Sequence, residues 1–167
     1  MVIWGFDRIT ASRRQFDGGE VVLGIAEFDN AIQVRLDRSD DAHDPDLVRD
    51  SNDSFGVAYR RTGDGLWHAA PDADGRIERT RVAAAEVRPP SIAALPDGSV
   101  IIVAATDAGL IYRTDAAGSW RGGKITSAAG GFAPDVATTA RGGIRAAFLR
   151  EGPDGSAAVW LSRHPRN

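Results

Sequence analysis

The sequence predicts an all-β protein, and three observations carry that expectation. Short apolar segments rich in β-branched and aromatic residues alternate with Gly, Asp, Asn and Pro along the 167 residues, the pattern of antiparallel strands joined by tight turns. The one stretch able to form a helical turn, Val82 to Val87, is stopped at once by Pro89-Pro90. Finally, Pro45, Pro90 and Pro134 each open a similar unit, and they lie 90 − 45 = 45 and 134 − 90 = 44 residues apart. A fixed period of this length marks a repeat architecture.

The elements follow in order. Glu20 to Ala26 and Ala31 to Leu36 read as the second and third strands of a first, irregular unit. In the next unit Pro45-Asp46-Leu47-Val48 leads into Phe55 to Tyr59, then Gly65 to His68, then Arg76 to Val82. The third unit is the clearest. Ser91 to Leu95 is a short strand closed by Pro96-Asp97-Gly98, where Pro presets one dihedral and Gly supplies a positive φ. Val100 to Ala105 is a near-continuous apolar run, as in a strand buried on both faces. Leu110 to Arg113 and Trp120 to Ser127 complete four strands. The last unit has Pro134 to Ala137, Ile144 to Phe148 and Ala158 to Leu161, with little chain left for a fourth strand.

Four strands in about 45 residues make one blade of a β-propeller. The expectation is therefore a single β-propeller-like domain over residues 1–167, with about four blades of four-stranded antiparallel sheet at roughly 6–38, 43–82, 88–127 and 132–163. Val2 to Phe6 is a candidate to fill the strand missing from the last blade. Completion by strand exchange or by dimerisation both answer the problem of an open edge.

Composition bounds the partners. A net charge of −3 leaves no broad basic field for nucleic acid or an anionic membrane. Cysteine is absent, which removes disulfides and thiolate chemistry and leans towards the cytoplasm. The first residues lack the basic-then-apolar pattern of a signal peptide, and no apolar run is long enough to span a bilayer.

The first strand of a propeller blade lines the central channel, and residues at its start crowd one mouth. These are His43, Asp44 and Asp46, then Arg88 and Ser91, then Phe132 and Asp135. Of these, His43, Asp46, Arg88 and Asp135 are the types that perform acid/base chemistry or grip a sugar. The alternative is architectural: an Asp or Ser after the proline caps nearby backbone amides. The acidic run holding Asp40, Asp41 and Asp44 has the oxygen ligands for Ca²⁺ but lacks the spacing of a calcium loop. No other cofactor or metal motif is present. Trp67 and Trp160 share a third-strand position occupied by Ile111 in the middle repeat, and read as a core layer between blades. Trp120 likewise reads as blade packing.

The stretch Arg88-Pro89-Pro90-Ser91-Ile92, followed by Leu95-Pro96-Asp97-Gly98, resembles the inner-strand motif of sialidase-like propellers. His43-Asp44-Pro45 with Val57-Ala58-Tyr59 is similar to bacterial neuraminidase repeats. The resemblance covers about residues 40–163 and implies a propeller whose relatives include glycosidases, lyases and binding modules. Arg113-Thr114-Asp115-Ala116-Ala117-Gly118-Ser119-Trp120 departs from the sialidase Asp-box, keeping the Asp and Trp but losing the first Ser and shifting the Gly. Of the sialidase catalytic set only Arg88 falls on a matching motif; Tyr59 and Tyr112 lie within strands. The function expected is thus a non-catalytic module that binds a glycan or protein at the mouth. The alternative is a glycan-active hydrolase or lyase using His43, Asp46, Arg88 and Asp135.

Overall fold

The computed structural model describes residues 9–14, 20–27, 30–37, 41–50, 54–126, 131–151, 154 and 156–164. Among these residues, fourteen strands form four antiparallel sheets. The first sheet is β1 (Ile9–Arg14), β2 (Glu20–Glu27) and β3 (Asn30–Asp37). The second is β4 (Ala42–Arg49), β5 (Phe55–Arg61), β6 (Gly65–Pro71) and β7 (Ile77–Ala83). The third is β8 (Ser91–Ala94), β9 (Val100–Thr106), β10 (Gly109–Thr114) and β11 (Arg121–Thr126). The fourth is β12 (Gly131–Thr138), β13 (Ile144–Glu151) and β14 (Ala157–His164). Each sheet is a meander in chain order, and β1, β4, β8 and β12 pack side by side along the inside. This is a propeller-like row of four blades. The middle two have four strands, and the outer two have three among the described residues.

The repeat is visible in its turns. Asp50–Ser54, Leu95–Ser99 and Thr139–Gly143 each close on the same backbone bond, the first amide donating to the fifth carbonyl at 2.9, 2.7 and 2.8 Å. Gly98 and Gly142 take φ of 84° and 76°, a region that costs a residue bearing a Cβ.

Period-2 alternation lets each middle blade bury both faces. Val57 and Tyr59 of β5 face the first blade and pack with Leu36 and Ala69. Ala58 faces the other way, into a cluster with Leu66, Ile92, Ile102 and Ile111. In β9, Val100, Ile102 and Ala104 face the second blade, while Ile101, Val103 and Ala105 join Val136 and Phe148 of the fourth. All seven residues of β9 are buried, as its apolar run requires. Arginines fasten blades together at the margins. Arg61 clamps Asp37 with bonds of 2.9 and 3.0 Å, Arg79 donates to the Leu36 carbonyl, and Arg113 donates to the Val82 carbonyl at 3.0 Å.

Two differences from expectation stand out. Strand β1 is polar (Ile-Thr-Ala-Ser-Arg-Arg) and carries no apolar alternation, yet it pairs with β2 from Ile9↔Ile25 to Arg14↔Glu20. The Asp115–Gly118 turn contains a short 3-10 helix, Ala116–Gly118. Val2 to Phe6 lie outside the described residues. No helix among the described residues is long and apolar enough to cross a membrane.

Candidate functional site

The inner strands bring three of the expected mouth residues into one hydrogen-bonded belt. Asp46 Oδ1 accepts from the Leu47 amide at 3.0 Å, and Oδ2 accepts from the Ile92 amide of the next blade at 2.9 Å. Ser91, one repeat on, accepts from the Val136 amide of the blade after that at 3.2 Å. Its hydroxyl reaches Asp135 Oδ1 at 3.4 Å. Thr138 continues the belt with a bond to the Ala94 carbonyl. The architectural alternative for these residues is therefore largely what the geometry shows, with one change: Asp46 and Ser91 cap amides a whole repeat away. Sequence spacing alone points only to local caps, because it does not say that consecutive inner strands sit side by side.

Burial pushes the Asp46 carboxyl above its ordinary range. The Ile92 amide, the Ser91 hydroxyl and the Leu47 amide oppose this, and the neighbouring Asp135 charge adds to it. Asp135 itself is exposed.

The other predicted residues have different surroundings. Asp44 is held by Arg60 at 2.6 Å, and Arg60 also lies 3.7 Å from Glu86. A carboxylate engaged by a guanidinium is poorly placed to ligate Ca²⁺; Asp40 lies outside the described residues, and no cluster of three metal-ligating side chains occurs among those described. His43 is half-buried and sits opposite Arg60 across the β4–β5 ladder. Arg88 donates its backbone amide to the Ala105 carbonyl at 2.8 Å and leaves its side chain exposed. Phe132 is half-buried opposite Leu149. Asp44 and Ala133, each directly before a repeat proline, have φ of 51° and 47° and sit in equivalent β-bulges. Non-glycine residues pay strain there. The bulges re-aim the start of two inner strands, at the end where the sequence reading expects a mouth.

Clefts lie between blades among the described residues, and sequence reasoning missed the two considered next. One, about 390 Å³, separates the second and third blades. The β6–β7 register pairs His68 with Thr80 and Ala70 with Glu78, so all four side chains share the face turned to the third blade. That blade contributes Asp115, Gly118 and Trp120. The His68 ring meets Trp120 edge-on at 5.1 Å, and its Nε2 is buried without a hydrogen-bond partner. A Cβ on Gly56 would sit 2.7 Å from that nitrogen, so glycine is what makes room for the ring. Burial lowers the His68 pKa to about 4, with Asp115 opposing. The second cleft, about 190 Å³, lies between the third and fourth blades and is lined mainly by Ile101, Tyr112, Ile125, Ile144 and Ala146, with Lys124 and Ser162.

Trp120 packs against the core between the second and third blades, as its sequence position predicts. Asp115 accepts from the Val100 amide at 2.7 Å, tying the turn to the second strand of its blade. Trp67 packs in the core beneath Arg61, whose guanidinium lies 3.9 Å from the ring centre. Trp160 corrects the expectation of a uniform core layer: it is 48% exposed on β14, because its blade lacks the fourth strand that covers the others among the described residues.

No family model matches this chain, and no curated protein does. Among solved structures, the chain is similar to a fucose lectin from Kordia zhangzhouensis in complex with methyl-fucoside, at 12% identity and a TM-score of 0.50, over 70% of this chain and 90% of the lectin. It is also similar to the α-L-arabinofuranosidase PaAbf62A from Podospora anserina in complex with cellotriose, at 11% identity and a TM-score of 0.53, over 92% of this chain and 58% of the enzyme. Neither is a sialidase. At these identities the likeness is one of fold, and it is the all-β, propeller-like fold that the repeat predicts.

Proposed function

We propose that this chain is a non-catalytic module that binds a glycan at the mouth formed by its inner strands. One observation carries the reading: Asp46, Ser91 and Asp135 converge across three blades, and Asp135 keeps its carboxylate exposed where a sugar hydroxyl would donate to it. Asp46 and Ser91 serve as the platform, since their oxygens already hold backbone amides. Titration with a panel of neutral sugars by calorimetry tests this. Asp135→Ala is expected to weaken the tightest binder about ten-fold, the loss of one charge-assisted hydrogen bond at about 1.4 kcal/mol. Unchanged affinity in that variant removes the mouth from the proposal.

A second reading, a glycan-active hydrolase, draws support from Asp46. A carboxyl raised by burial beside a second carboxyl group, that of Asp135, is a pairing that acid/base catalysis uses. Both Asp46 oxygens are already committed to amides, and this weighs against it. Release of a chromophore from aryl glycosides, lost in Asp46→Asn, would favour the enzyme. As for partners, we also propose that a second copy covers the last blade, on grounds given in the Discussion.

A further inference from the structure

We propose that the cleft between the second and third blades is a separate binding site for one neutral sugar ring, with Trp120 as its apolar wall and Glu78 and Thr80 as its polar contacts. The class of ligand rests on the glycan-binding reading above; the location does not.

The lining supports this in three ways. At about 390 Å³ the cleft falls in the size range of small-molecule sites. Its wall is an indole, half-buried and fixed by core packing on one side, and an aromatic face takes up the C–H face of a sugar. Opposite it, Glu78 is exposed and makes no ion pair among the described residues, so its oxygens remain acceptors for hydroxyl donors. His68, more than nine-tenths buried, also borders the cleft.

The charge sets the selectivity. The lining holds two carboxylates, Glu78 and Asp115, and no arginine or lysine. A uronate or sialic acid would meet like charge with no cation to pair it. A neutral sugar brings only hydroxyls, which donate to carboxylates. The smaller cleft between the third and fourth blades is mostly apolar and carries Lys124 instead, so the two are not copies of one site.

Indole fluorescence of the full chain on titration with methyl-fucoside, arabinose, galactose and glucuronate tests the proposal. A saturable change with at least one neutral sugar, and none with glucuronate, is expected. Glu78→Gln and Thr80→Val, both at the surface of β7, should each weaken that binding three- to ten-fold. Trp120→Phe should weaken it and abolish most of the signal; Trp120→Ala is avoided because the indole also fills the core. Asp135→Ala should leave this site unchanged. Wild-type affinity in Glu78→Gln and Thr80→Val overturns the cleft, and loss confined to Asp135→Ala overturns it in favour of the mouth. If no neutral sugar binds either variant or the wild type, the glycan reading itself fails and the cleft assignment falls with it.

Discussion

His68 is seated between Gly56 and Trp120 with one nitrogen sealed from water. Its folded pKa, about 4, lies below the ordinary 6.5. Above pH 6.5 the ring is neutral folded and unfolded, and contributes nothing to the pH dependence. As pH falls from 6.5 to 4 the unfolded chain takes up the proton first, so the folded state loses stability across that window. The loss levels off below 4 at about 3 kcal/mol. Asp46 acts in the opposite sense, because its carboxyl is raised and the folded state takes up that proton more readily. Urea unfolding at pH 7 and pH 4.5 should show the His68 loss, and His68→Leu should remove most of the difference. The same loss of stability from pH 7 to pH 4.5 in wild type and variant would refute the assignment. The ring's burial was not legible in the sequence, where His68 is one polar residue on a third strand. The missing signal was Gly56, twelve residues upstream, whose lack of a side chain is the other half of the arrangement.

Between elements, the inner strands are joined by side chains as well as by apolar contact. Asp46→Ala leaves the amides of Leu47 and Ile92 without their acceptor, and should cost about 1–3 kcal/mol; Asp46→Asn, which keeps one carbonyl oxygen, should cost less. Denaturant melts of both variants check the order, and a cost for Ala no greater than for Asn would mean that the bond to Ile92 is not stabilising. Much of the element layout is legible beforehand for a physical reason. Turns such as Pro96-Asp97-Gly98 state their geometry locally, and β9 states its two-sided burial through seven consecutive apolar or small residues. What escapes is anything set by a neighbour in space. The polar β1 is a strand because β2 offers it a ladder, and Asp46 reaches Ile92 because β8 lies alongside β4.

Across the whole molecule, each middle blade lays one face on the blade before it and the other on the blade after. Leu66 and Leu110, which point to the following blade, are 0% exposed. Their counterpart in the last blade, Val159, is 76% exposed, and Leu161 on the same face is 56% exposed. Val159 and Leu161 pair across the ladder with Leu149 and Ala147, giving an apolar face with no blade upon it among the described residues. By the logic of the other three interfaces, the natural cover is a first blade, and the partner proposed here is that of a second copy. Light scattering should then give a mass of at least two chains, and Val159→Glu with Leu161→Glu should return it to 17.7 kDa. A wild type already at that mass would show that the face is covered within one chain or left bare.

A joint of that kind is directional, since the surface offered and the surface accepted differ. Nothing in it counts the members. Whether copies end in a closed circle or continue as a thread depends on the small rotation from one sheet to the next, so a substitution that merely tilts a blade would change the size of the assembly while leaving every individual contact intact.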